Sequence, residues 1–247
     1  MKIRSHIPSL FTLINLFLGF LAVLNALAGD YIIACYLILV AAVFDSFDGK
    51  LARLFGLSSS FGTEIDSLAD MVSFCLAPSV LIYALYTKDF PGITGELIAS
   101  APLIMGAIRL AKFNVSQMGN PTSFFTGLPT PMSALAISAL VLFTENIKSI
   151  NPEYTQPKLL LPIIFTISFL MVSSVKYAKF PLLNVKSGRT NNIRLIGVLL
   201  FLISFGVSVF YQWESRILMG FLTFYIVSGI LRALIKPVNN LEETESN

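Results

Sequence analysis

Four aspartates carry the chemistry of this sequence. Asp45 and Asp48 stand three residues apart, and Asp66 and Asp70 four apart. On helices each pair shares one face. All four sit at the ends of long apolar runs, where a carboxylate at mid-bilayer costs about 2.5–3.5 kcal/mol on insertion scales. Between the pairs come Gly56 and then Ser58-Ser59-Ser60, a helix stop followed by N-cap residues. The spacing predicts a tight helical hairpin that turns the two acidic faces toward one another at the membrane surface.

Four carboxylates that close repel by roughly 4 kcal/mol per pair at 4 Å and an effective dielectric near 20, unless they are protonated or bridged by cations. Oxygen ligands without His or Cys favour hard ions, Mg²⁺ or Mn²⁺, over zinc. Two such ions about 3.5–4 Å apart form the usual clamp for displacement at phosphorus. Gly49 and Ala52 beside the first pair leave room for a bulky group against the backbone, and Gly62, four before Asp66, extends the bare face on the opposing helix. The plainer alternative makes the acids solvated loop residues or partners of Lys50 and Arg53, and the glycines helix-packing residues.

The elements that must position these residues are membrane helices. Of 247 residues, 55% are hydrophobic and 13% charged, a balance that no soluble domain of this length could cover with water-facing side chains. A spanning helix needs about 20 mostly apolar residues. Eight runs qualify, near 8–29, 31–54, 63–86, 95–111, 130–146, 158–177, 193–211 and 215–236. The expected fold is therefore an all-α, polytopic helical bundle of about eight transmembrane helices. Residues 1–238 form one membrane domain, and the polar, acidic tail 239–247 is expected to be disordered.

Loop parity assigns thirteen basic residues to one side, among them Lys2, Arg4, Lys50, Arg53, Arg109 and Lys112, and four to the other, namely Lys88, Lys148, Lys158 and Arg216. Cytoplasmic loops collect Lys and Arg, so both termini and the acidic hairpin are expected in the cytoplasm. The net charge of +3 then reflects topology and anionic headgroups, not nucleic-acid binding. Lys2 and Arg4 followed by an apolar run ending in Ala26-Leu27-Ala28 imitate a secretory signal, but the run has spanning length and contains Thr12 and Asn15, so it reads as a retained helix. Cys35 and Cys75 lie inside apolar runs and read as small hydrophobes. His6, alone before the first run, reads as an interfacial residue.

The run Asp45-Ser-Phe-Asp48-Gly49-Lys-Leu-Ala52-Arg53, eight residues, Gly62-Thr-Glu-Ile-Asp66-Ser-Leu-Ala-Asp70 has the form D-x2-D-G-x2-A-R-x8-G-x3-D-x3-D. It resembles the signature of the CDP-alcohol phosphatidyltransferases. By that resemblance Asp45 and Asp66 touch both metals, Asp48 the first and Asp70 the second, with Asp70 also the general base. Gly49 and Ala52 match the small residues under the CDP group, and Arg53 the contact to its phosphates. Ser59 and the Pro8-Ser9 segment fall where the family meets the nucleotide-lipid, although many members carry Asn where Ser9 stands here.

Three further segments resemble the bacterial and archaeal membrane-bound phosphatidylserine synthases: Arg109-Leu-Ala-Lys112-Phe113-Asn114, Phe125-Thr-Gly127-Leu128-Pro129-Thr-Pro131, and the start from Pro8 through Thr12, Asn15 and Gly19. The resemblance implies transfer of the phosphatidyl group of CDP-diacylglycerol to the hydroxyl of L-serine, with release of CMP, by a homodimer in the cell (inner) membrane. Arg109, Lys112 and Asn114 are the candidates to bind the serine carboxylate; the alternative for Arg109 and Lys112 is a positive-inside anchor on lipid phosphate. Thr126-Gly127-Leu128-Pro129 is either a rigid turn facing the acceptor or a plain loop. Other acceptors (glycerol phosphate, inositol phosphate or choline) remain open, and from another class so does a cation transporter using the acids as its ion site.

Overall fold

The computed structural model describes residues 10–54, 60–116, 124–151, 153, 160–178, 189–210 and 213–235. The tail 239–247 lies outside them. Helix α1 (Leu10–Ala28) turns directly into α2 (Tyr31–Leu54). Gly29, at φ +92°, ends α1. The Asp30 and Gly29 amides donate to the carbonyls of Asn25 and Ala26, the paired closure that left-handed glycine permits at a helix C-terminus.

The buried face of α1 is Thr12, Asn15, Gly19, Ala22 and Ala26, alternating in steps of three and four. Leu13, Phe17, Phe20, Leu24 and Leu27 are exposed on the other face. Small residues inside and large apolar ones outside is the arrangement of a helix solvated by lipid, where packing and not water exclusion drives association. Ala26-Leu27-Ala28 is the last turn of α1, with Ala26 buried against the core.

Helix α3 (Ser60–Asp70) continues without a break through π-helical turns at Met71–Leu76 and Tyr83–Thr87, separated by α4 (Ala77–Ile82). Pro78 explains the first of these turns, because its ring has no N–H and crowds the carbonyl four residues earlier, which the wider π turn relieves. That turn begins one residue after Asp70. Two glycines let neighbouring helices close on it. A Cβ on Gly19 of α1 would collide with Ser73, and one on Gly106 of α6 (Ala101–Ser116) with Cys75.

Short α5 (Thr94–Ala99) leads into α6, and α7 (Thr130–Ile150) runs through the centre, buried along most of its length. It packs against α2, α6, α8 (Leu160–Val172) and α10 (Glu214–Ile235), with α9 (Arg189–Phe210) outside α10. Two three-residue strands, β1 (Phe124–Thr126) and β2 (Lys176–Ala178), pair antiparallel. Tyr177 of β2 stacks on Tyr225 of α10 at 5.5 Å between ring centroids and fills the space left by Gly229. Burial pushes its phenol up to about 12, so the ring packs in neutral form.

Six described helical stretches are long and apolar enough to cross a membrane, from Leu10–Ala28 to Glu214–Leu234. The other two apolar runs are shorter among the described residues: 13 residues in Leu160–Val172, and Leu195–Gly206 within α9. The run expected at 158–177 stops at Val172 because Ser173 bonds back to Leu170 and the chain turns into β2. At about 1.5 Å per residue its 13 residues reach roughly 20 Å, short of a hydrocarbon core of about 30 Å. The Gly127 turn, at φ +76°, spends its amides inside the protein: Gly127 N–H donates to the Val175 carbonyl and Leu128 N–H to that of Leu170, both at 2.8 Å.

The close approach at Gly106 is testable. Gly106→Val is expected to destabilise the detergent-solubilised protein by about 1–3 kcal/mol through overpacking against Cys75. Adding Cys75→Ala, which removes the colliding sulfur, should recover part of the loss in thermal midpoint.

Candidate active site

Helices α2 and α3 bring three of the four aspartates together. One carboxylate oxygen from each of Asp45, Asp66 and Asp70 lies within 4.8 Å of the other two. Asp48, one turn along α2 from Asp45, is buried and accepts a hydrogen bond from Thr12 of α1. Its partner is thus a hydroxyl from the first helix, while the close triad is built by the other three.

Three charges at that separation repel by about 3.5 kcal/mol per pair at an effective dielectric near 20. Among the described residues, one counter-charge lies close by. Arg109 of α6 is only 7% exposed, and its Nη1 donates to Thr130 Oγ1 at 3.4 Å. Thr130 Oγ1 in turn donates to Asp70 Oδ2 at 3.4 Å. The threonine thus links the guanidinium to the carboxylate, and the Asp70 charge acts on Arg109 across the same gap.

Asp70 Oδ1 is buried and has no hydrogen-bond partner. The Arg109 guanidinium alone cannot neutralise three carboxylates, and three carboxylates this close, one with an orphaned oxygen, suit a hard cation with bonds of about 2.0–2.6 Å to oxygen. The donor set is all oxygen, so these residues fit Mg²⁺ or Mn²⁺.

Around this centre the other expected residues fall as follows. Gly62 lies in α3, four before Asp66, and is half-buried. Gly49, Ala52 and Arg53 are in the last turns of α2, with side chains outside the described residues, and Pro8, Ser9 and Ser59 also lie outside them. Arg109 is buried beside Asp70, with its guanidinium carbon 5.9 Å from the Phe113 ring, and is not a headgroup anchor. Lys112, one turn on, is exposed. The Asn114 amide nitrogen is 3.1 Å from Ser67 Oγ and 3.5 Å from Glu64 Oε2, which ties the end of α6 to the acidic helix.

Thr130 and Thr12 were not among the expected site residues. Thr130 stands between Pro129 and Pro131 at the start of α7, a polar residue at a helix entrance that reads as turn chemistry. Only its tertiary position next to Asp70 reveals the link. Thr12 gave a fainter signal, as a polar residue within an apolar run.

The sequence profile of the CDP-alcohol phosphatidyltransferases matches residues 5–172. The chain belongs to the CDP-alcohol phosphatidyltransferase family. Curated members similar to it include the CDP-diacylglycerol--serine O-phosphatidyltransferase of Helicobacter pylori strain 26695, 34% identical over 94% of this chain and 92% of the relative. The Bacillus subtilis protein of the same name is 37% identical over 76% of this chain and 99% of its own. The archaetidylserine synthase of Methanothermobacter thermautotrophicus is 38% identical over 72% of each. Membership in a transferase family sets the transporter reading aside. The matched region includes all four aspartates, Arg109 and Thr130.

The Thr130 bridge predicts a graded response in this phosphatidyltransferase. Thr130→Ala removes a hydrogen bond worth about 0.5–1.5 kcal/mol and should lower kcat by about two- to twelvefold with little change in KM. Thr130→Ser, which keeps the hydroxyl, should retain most activity. Equal rates for Thr130→Ala and the wild type would remove Thr130 from the site.

Proposed function

We propose that this enzyme joins the phosphatidyl group of CDP-diacylglycerol to L-serine, making phosphatidylserine and CMP. The observation that carries the reading is the convergence of Asp45, Asp66 and Asp70 beside the buried Arg109–Thr130 pair. The serine acceptor draws on the printed names of the Helicobacter and Bacillus relatives, which cover most of the chain.

In this reading Asp45, Asp48, Asp66 and Asp70 hold two divalent cations, Mg²⁺ or Mn²⁺. Bound there, the ions supply charge neutralisation for the diphosphate and the departing CMP. Pro8, Ser9, Gly49, Ala52, Arg53, Ser59 and Gly62 form the CDP-diacylglycerol cradle, small residues admitting the nucleotide and Arg53 meeting its phosphates. Arg109, Lys112 and Asn114 address the serine; burial of Arg109 supports its role more strongly than exposure supports that of Lys112.

The serine hydroxyl oxygen attacks the lipid-linked phosphorus, a new P–O bond forms, and the bond to the CMP oxygen breaks. Asp70 takes the hydroxyl proton. Thr130 holds Oδ2 and so orients the carboxylate, and the lone pairs it leaves unused are available to cation and proton. A positioned carboxylate of this kind contributes about 10²–10⁴-fold to such a step.

Lipid tails need the bilayer while serine and CDP need water, so the site lies at an interface. Lys88, Lys148 and Arg216 fall at or just beyond helix ends remote from the aspartates, and the loop parity of the basic residues in the sequence supports a cytoplasmic active site and cytoplasmic termini in the cell (inner) membrane. We extend the proposal to a homodimer of single-domain chains, residues 1–238, as the family resemblance implies.

The test uses the purified full chain with CDP-diacylglycerol, labelled L-serine and Mg²⁺ or Mn²⁺. Labelled phosphatidylserine and stoichiometric CMP are expected, with turnover reduced about 10²-fold or more by Asp70→Asn. Release of CMP only with glycerol phosphate, inositol phosphate or choline would refute the serine assignment, and near-normal turnover by Asp70→Asn the base.

A further inference from the structure

The end of the bundle opposite the aspartates holds a second polar site. Thr130 contacts Asp70 at one end of α7, and Glu145 lies fifteen residues along the same helix, about 22 Å at 1.5 Å per residue. There, a cavity of about 140 Å³ opens between α2, α7 and α10, lined by Tyr36, Glu145, Asn146, Ser149, Glu214 and Ser215 among others. In an otherwise apolar protein these six side chains bring two carboxylates, three hydroxyls and an amide to one small space.

Oxygens on its lining residues are incompletely used. Glu145 Oε1, Glu214 Oε2 and Ser215 Oγ are all buried with no hydrogen-bond partner. Ser215 is 4% exposed, and its Oγ finds no protein partner. Tyr36 donates to Glu214 Oε1 at 3.2 Å, and Ser149 donates to the Asn146 carbonyl at 2.7 Å, leaving the Ser149 oxygen free to accept. Glu214 stands in the first turn of α10, and its Oε2 remains unsatisfied there. Lys148 is 3.8 Å from Glu145 Oε1, on a side chain 49% exposed, so it offsets one charge from outside the cavity. Arg216, next in line, has its guanidinium carbon 5.9 Å from the Trp213 ring.

We propose that this cavity is a binding site for a hard divalent cation, separate from the catalytic centre, with Glu145, Glu214 and Ser215 as its ligands. Ca²⁺ matches it best, because it accepts six to eight oxygens in adaptable geometry from carboxylates, hydroxyls, amides and water. A volume of about 140 Å³ accommodates an ion with several waters, each about 30 Å³. A bound ion clasps the start of α10 to α2 and α7; α10 also packs against β2 and α9. The inference stands whether or not serine is the acceptor.

Trp213, the chain's single tryptophan, adjoins Glu214 and makes the site readable. The full chain in detergent, stripped of metal, is titrated with Tb³⁺, a luminescent stand-in for Ca²⁺, under selective tryptophan excitation. Saturable emission that Ca²⁺ displaces is expected, with Ca²⁺ raising the thermal midpoint. Glu145→Gln/Glu214→Gln should weaken Tb³⁺ binding at least tenfold while the protein still releases CMP; Asp45→Asn/Asp66→Asn should leave the tryptophan-sensitised signal intact. If the double glutamine variant fails to fold, Ser215→Ala, which deletes one ligand oxygen, makes the same comparison at a smaller loss of affinity. Absence of saturable emission in the wild type overturns the site, as does emission that persists unchanged in the glutamate and serine variants or vanishes with the aspartate variant.

Discussion

Three carboxylates drawn within 4.8 Å of one another are the constraint around which this bundle is arranged. Left alone they would push α2 and α3 apart at about 3.5 kcal/mol per pair, more than the packing of one small residue returns. The fold therefore supplies counter-groups from helices distant in sequence. Thr12 of α1 meets Asp48, and Arg109 of α6 reaches Asp70 through Thr130 of α7. Five helices, α1, α2, α3, α6 and α7, thus converge on one polar point at the end of an apolar bundle.

Close approach is what makes that convergence possible. Gly19 and Gly106 bring α1 and α6 against the π turn that starts next to Asp70, and Pro78 supplies the reason for that turn. Backbone irregularity and small residues beside a reactive acid belong together: the same features that widen the helix also admit the neighbours that position its carboxylate. The gain in packing is local, because in lipid the outer faces offer no hydrophobic drive of their own.

The clustering of the acids was legible in the sequence because intervals of three and four residues on two consecutive helices need no tertiary information. Thr130 and Thr12 were not, since a single hydroxyl near an apolar run has no period and acquires meaning only from what another helix places beside it. Arg109 could be singled out but not resolved; as an anchor it would lie exposed, and only its burial decides the matter. The strands β1 and β2 are three residues each, too short to show alternation, and they end α8 earlier than its hydropathy implies. Glu145 and Glu214 passed unremarked because each looks like an ordinary helix-end charge until α7 and α10 are set side by side.

Anomalous diffraction from crystals of the full chain grown with Mn²⁺ tests the central claim most directly. The account predicts strong anomalous density bounded by the carboxylates of Asp45, Asp66 and Asp70. Carboxylates turned away from one another, with manganese absent from the space between them, would contradict it.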